Sequence, residues 1–333
     1  MDNQNNKFNF FIYCILLPTI LYSIIYLGFD PLNSPLNSRT YNPPSLFFEG
    51  NNIYRFLSRD IFIFFLKITL PLLQSLKKYP LFAPMNTIGT NFYLAIVIFN
   101  TFFYILTCTV LFRIINNNLK NSFKNSLFLY LYLISIIAIS QYFITIYNNI
   151  GILLLLLSIK LIFNIKYNYS AKNIFLLCLT VIIATCNTES IFLIIPFYIS
   201  ILLNKNLKFI LNMVEFLKIF KHIWLPLLSF LLTIIFIRVN ISGIYNNTFN
   251  HLISNFISIK NIIGFLLYII LSYLSYVTCK NKIQKINLLN FIILAIPYII
   301  YLACTEFLWE IHLFTPLILI QFIISNYNTD NLN

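Results

Sequence analysis

Residues 44–60, PSLFFEGNNIYRFLSRD, bring Glu49, Arg55, Arg59 and Asp60 into one short stretch of a chain in which only 9% of residues are charged. A carboxylate can take the proton of a reacting hydroxyl, and an arginine can hold a phosphate with its planar fork of donors. Further on, YLACTEFLWEIHLFTP sets Glu306 and Glu310 one helical turn apart, with Trp309 and His312 beside them. Two carboxylates, an indole and an imidazole could line a sugar or head-group site. They would equally suit a membrane-interface belt, where Trp and polar side chains are favoured for their own sake. A third group, ATCNTESIFLIIP, places Asn187, Thr188, Glu189 and Ser190 in the middle of an apolar run. An unbroken span there would bury an unpaired carboxylate at a cost of about 2.5 kcal/mol or more, so a chain break is expected.

Other chemistries lack their residues. The glycines form neither a phosphate loop nor a dinucleotide fingerprint, and there is no zinc-protease or serine-hydrolase motif. His222, His251 and His312 are not spaced as a metal set, so no metal is expected. The six cysteines lie singly, mostly in apolar runs, which suits small core residues rather than a disulfide framework. Asn168 and Asn246 sit in glycosylation triplets, a weak signal.

These polar groups must be held by a membrane. With 59% hydrophobic residues, the chain has more apolar side chains than a soluble core could hide. Apolar stretches near the roughly 20 residues that a spanning helix needs recur almost from end to end. They predict an all-α, polytopic transmembrane protein with about nine or ten membrane segments, forming a single transmembrane domain over 1–333. The segments fall near 8–28, 90–112, 127–144, 150–165, 174–203, 222–240, 261–279, 286–303 and 307–325. The first is read as a retained span, being too long for a signal-peptide core. The net charge of +13 does not imply nucleic acid, because the lysines sit in short loops between spans, where they report topology.

The lysine-rich loops 113–126, 160–173, 204–221 and 280–285 share the cytoplasmic side if 61–76 does not cross and 174–203 goes out and comes back. Lys67 and Pro71 within 61–76 suggest a short re-entrant or interfacial helix interrupted by proline. Residues 29–89 then form a long lumenal loop, whose arginines could also be interfacial anchors. Asp30, Glu49, Asp60, Glu189, Glu306 and Glu310 all fall on the non-cytoplasmic side, six of the nine acidic residues. Asn246 joins them there, and Asn168 does not. That clustering predicts a polar site facing the lumen.

Taken in order, several segments resemble the GPI mannosyltransferases that add the second mannose, the PIG-V family of multi-spanning endoplasmic-reticulum enzymes. FFEGNNIYRFLSRD is similar to the family's first lumenal loop, with Phe48 and Glu49 where the family has Trp-Asp. LFAPMNTIG echoes a Phe-x-Pro segment, and IVIFNTFFYILTCTVLFRI a span with a central Asn. IIATCNTESIFLIIPF is similar to a small-residue stretch before an apolar half-helix, although Thr188 to Ile191 replace the family's usual basic and Ser-Asn-Gly residues. ACTEFLWEIHLFTPLI resembles a late polar-aromatic segment. The resemblance implies a GT-C-like fold whose lumenal loop carries the site, and residence in the endoplasmic reticulum as a multi-pass protein. The activity it implies is inverting transfer of mannose from dolichyl-phosphate mannose, a lipid-linked donor used without a cofactor, to the GPI lipid precursor. Glu49 is then the base, Arg55 or Arg59 steadies the departing phosphate, and Asp30, Asp60, Glu189, Glu306, Glu310 and His312 complete the substrate-binding set. An accessory membrane subunit is a possible partner. Two related readings stay open, the first-mannose transferase and a non-catalytic subunit like that of the GPI transamidase. A transporter would also use intramembrane charge and a broken helix, but no internal repeat is visible.

Overall fold

Proline and local polarity decide where helices start and bend. In the computed structural model, which describes residues 8–28, 55–79, 91–118, 123–142, 145–203, 213–240 and 251–327, helix follows helix and no strand occurs among the described residues. Asp30, Glu49, the LFAPMNTIG segment and Asn246 lie outside them. Helix α1 (Leu17–Gly28) is preceded by a π-helical turn, Ile12–Leu16, closed by Leu17 N donating to Ile12 O. Pro18 accounts for the wide turn, since it has no N–H and its ring crowds the carbonyl four residues back.

Helix α2 (Phe56–Leu76) corrects one expectation: it runs unbroken through Pro71. Ser58, Phe62, Leu66, Thr69 and Leu73 form its buried face, while Phe64, Ile68 and Leu72 are exposed, so both faces are apolar. With Arg59, Asp60 and Lys67 in it, α2 is not among the helices apolar enough to cross a membrane. Then come α3 (Asn91–Asn118), α4 (Phe123–Ser140), α5 (Asn148–Tyr167) and α6 (Ala171–Thr185). A break at Cys186–Thr188 leads to a 3₁₀ turn, Glu189–Leu193, and α7 (Ile194–Leu203). The chain continues through α8 (Met213–Asn240), α9 (His251–Ile257), α10 (Ile259–Val277), α11 (Lys282–Leu294), α12 (Ile296–Thr305) and α13 (Ile311–Asn326). Helices α11 and α12 meet at a 41° bend, with Pro297 in the first turn of α12, where a missing N–H costs least.

Among the described residues five helices could cross a membrane by length and composition, or six if the bent pair is one span. Helices overlap every segment from which a crossing is expected, but four apolar ones, Asn125–Ser140, Ala171–Thr185, Glu189–Leu203 and Ile311–Asn326, are shorter than the spanning helices. The chain is a polytopic helical protein of membrane type. Large apolar side chains stay exposed along α8 and α10, as lipid-facing helices require.

The chain packs as two compact units. The first comprises Met1–Phe112, Ile134–Leu153 and Cys186–Thr188, and the second Arg113–Leu133, Leu154–Thr185 and Glu189–Asn333. In the first, α2 docks on α3 through aromatic rings, with Phe62 5.0 Å and Phe65 5.3 Å from Phe99. In the second, α13 is buried continuously from Phe314 to Ser325, as expected of a helix that is apolar all round. It packs on α10 and α11, while α6 and α7 pack on α8. Asn281 and Gln284 form a capping box at the start of α11, and Gln284 also donates to Tyr327 O at 2.7 Å, tying the end of α13 to that cap. Lys166 donates to Ile201 O at 3.0 Å, a cation placed at the carbonyl end of α7.

Candidate functional site

In the second unit, Glu306 and Glu310 lie at opposite ends of a turn between helices. This corrects the sequence reading, which puts them a helical turn apart on one face. Glu306 is already extended (φ −133, ψ 167) as it caps α12, and Glu310 (φ −79, ψ 93) precedes α13. A spacing of four residues fits a turn as well as a helix. The turn is held from α9, where the Asn255 amide donates to Ala303 O at 2.8 Å and Glu306 O at 2.7 Å and accepts from Leu308 N at 3.2 Å. One buried amide thus satisfies backbone groups that the helix end would leave without partners. Helix α10 reaches the same turn through Gly264, where a Cβ would stand 2.6 Å from Trp309 Cα, too close for any side chain.

Side chains gather around this clamped backbone. The Lys260 ammonium sits 3.7 Å from the centre of the Trp309 ring, and the His251 ring lies 4.4 Å from that of Phe307. His312 Nε2 stands 3.6 Å from Glu310 Oε2, and the imidazole is nearly buried while the carboxylate keeps contact with solvent. The turn therefore offers carboxylates to accept hydroxyl protons in hydrogen bonds, an indole face, a cation and an imidazole.

Glu189 belongs to an element from a distant part of the sequence. The break at 186–188 falls where the run of polar residues predicts it, and Glu189 opens the 3₁₀ turn that follows. That turn packs against both α12 and α13, the two helices joined by Glu306–Glu310. Glu189, Glu306 and Glu310 are all half-buried. The structure thus brings together the elements carrying three of the carboxylates singled out in the sequence, with His312.

The first unit holds the other described candidates. Arg55 sits over Tyr147, its guanidinium carbon 3.6 Å from the ring centre, and Tyr147 O accepts from the Asn187 amide at 3.0 Å. Gly151 leaves room there, since a Cβ would meet Thr188 Cγ2 at 2.9 Å. Arg59 Nε donates to its neighbour Asp60 at 2.9 Å, an exposed pair at the start of α2. Asp30 and Glu49 are outside the described residues. A buried uncharged network also lies in this unit. Tyr26 donates to Tyr22 at 3.3 Å, and the Asn149 amide donates to Tyr22 at 3.0 Å and to Asn100 O at 3.3 Å.

Sequence reasoning missed Asn255, Lys260 and Gly264. Gly264 had a usable signal, because a chain with only six glycines has few positions that lack a side chain. Among the described residues no group of three or more His, Cys, Asp or Glu could hold a metal ion. No protein-family model, curated protein or solved structure matches the chain.

Proposed function

We propose that this protein is an inverting glycosyltransferase of the endoplasmic-reticulum membrane, transferring the second mannose of the GPI precursor from dolichyl-phosphate mannose. The observation that carries the proposal is the packing of the Glu189 turn on both helices that flank Glu306–Glu310. Rare carboxylates from distant parts of an apolar chain are thus carried by elements that pack on one another, and polyol recognition needs such acceptors. The resemblance in FFEGNNIYRFLSRD and ACTEFLWEIHLFTPLI supports the choice of donor and step.

In the reaction, the acceptor hydroxyl oxygen bonds to the anomeric carbon of mannose as the bond from that carbon to the phosphate oxygen breaks. Dolichyl phosphate leaves with the electron pair, the hydroxyl proton passes to a carboxylate, and the configuration inverts. Glu49 is assigned as the base from its place in the resembling motif. Arg55 or Arg59 is assigned to the departing phosphate, and Asp30 and Asp60 to the substrate. Glu189, Glu306 and Glu310 accept hydrogen bonds from sugar hydroxyls, with His312 held beside Glu310.

The test is complementation of cells that lack the second-mannose step, with the accumulated lipid intermediate identified. The wild-type chain should clear the singly mannosylated precursor. E49Q should reduce transfer by about a hundredfold or more, and E189Q and E306Q by about tenfold each, with unchanged protein level. Full function of E49Q would remove Glu49 as the base and would favour the reading of a non-catalytic subunit that acts with another transferase. Failure of the wild-type chain to clear that intermediate would end the proposal.

A further inference from the structure

The carboxylate-bearing turn has a cation of its own. Lys260 is exposed at the start of α10, and its ammonium rests on the Trp309 ring, inside the turn that joins Glu306 to Glu310. Among the described residues no carboxylate stands within ion-pair distance of it. His251, Cys304, Glu306, Glu310 and His312 are the other titratable groups of the turn and the helix ends around it. The indole therefore holds Lys260 in place while its charge stays available to an anion.

Helix α10 continues from this lysine as an apolar track. Ile259, Ile263, Leu266, Ile270 and Tyr273 are all exposed and recur every three or four residues along one side. At 1.5 Å per residue, the helix from Ile259 to Val277 is about 27 Å long, close to the depth of a bilayer's hydrocarbon layer. Helix α8 also presents apolar residues outward, but α10 is the helix whose backbone meets the turn, at Gly264. A cation at the site end of a lipid-facing helix suits an amphiphile with one phosphate and a long apolar tail.

We infer that Lys260, seated on Trp309, binds the phosphate of the polyisoprenyl-phosphate donor, with its lipid chain lying along the outward side of α10. The inference rests on the glycosyltransferase reading and replaces one of its assignments, giving the donor phosphate to Lys260 instead of Arg55 or Arg59. Lysine serves here as a point charge, which tolerates both the phosphodiester of the donor and the phosphomonoester left when the sugar departs.

The test uses the full chain in lipid nanodiscs and a photoreactive polyprenyl phosphate. Wild-type protein should be labelled on α10 between Ile263 and Tyr273, with excess unlabelled polyprenyl phosphate competing and phosphatidylserine not. K260M should lower labelling about tenfold, and K260R should retain most of it. Wild-type labelling in K260M, or equal competition by phosphatidylserine, would overturn the inference. If K260M is poorly folded, the position of the label on the wild-type chain decides, and labelling away from α10 overturns it. Labelling requires no sugar transfer, so failed complementation with Lys260-dependent labelling counts against the function, and working complementation with Lys260-independent labelling counts against Lys260 alone.

Discussion

A neutral cluster in the first unit and the carboxylate-bearing turn in the second hold polar side chains in an apolar protein in opposite ways. In the first, Tyr22, Tyr26, Asn100 and Asn149 are uncharged, at least nine-tenths buried, and hydrogen-bonded to one another. In the second, Glu306, Glu310 and Lys260 are charged and keep contact with solvent, and the backbone between the glutamates is pinned by Asn255. A neutral network can be sealed inside because its mutual hydrogen bonds offset most of the desolvation cost, even with Asn100 Oδ1 and Asn149 Oδ1 left unbonded. Charges cannot, so they appear where helices end and water can reach. Burial of polarity therefore marks helix-to-helix attachment here, and partial exposure on a fixed backbone marks the candidate site.

The largest effect that would test this contrast is at Gly264. A valine there has to displace the Leu308–Trp309 backbone, so G264V should destabilise the protein by about 3 kcal/mol or prevent folding. G151A places its methyl against the side chains of Thr188 and Asn187, which can shift, and should cost about 1 kcal/mol. Thermal unfolding monitored by size-exclusion chromatography in detergent ranks the two. Equal losses would mean that the turn is no more rigidly built than the first unit.

N149A comes next. It removes the bonds to Tyr22 and Asn100 O, and should cost about 1 kcal/mol of stability, because polar contacts between membrane helices are individually modest. Transfer measured per folded molecule should stay at the wild-type level. A loss of turnover without a loss of stability would move the neutral network into the site and erase the distinction between the units.

The residues themselves show what a sequence can reveal. The break at 186–188 was legible because Asn187, Thr188, Glu189 and Ser190 cannot be buried together in a span, a constraint local to the stretch. The geometry of Glu306–Glu310 was not. What keeps α12 from running into α13 is an amide from Asn255, some fifty positions earlier, and contacts of that kind leave no periodicity to read. Pro71 misled for a related reason, because tertiary packing of Phe62 and Phe65 on Phe99 carries α2 through a residue that local propensity disfavours. Lys260 looked like any lysine beginning an apolar helix until its position on Trp309 set it apart.

The smallest structural effect is expected at Asp60, and it is the one that most sharpens the contrast. Asp60 is mostly exposed and pairs only with its neighbour Arg59 among the described contacts. Exposed pairs of this kind are worth about 0–1 kcal/mol, so D60N should leave thermal stability within about 0.5 kcal/mol of wild type. The variant is therefore a clean probe of chemistry, free of the folding loss that complicates G264V. If transfer per folded molecule falls about tenfold or more while stability holds, the charged start of α2 acts on substrate and its pairing with Arg59 is a resting arrangement. If transfer is unchanged, Asp60 leaves the substrate-binding set, and the work of sugar recognition rests on Glu189, Glu306 and Glu310, whose supporting elements already pack together in the second unit.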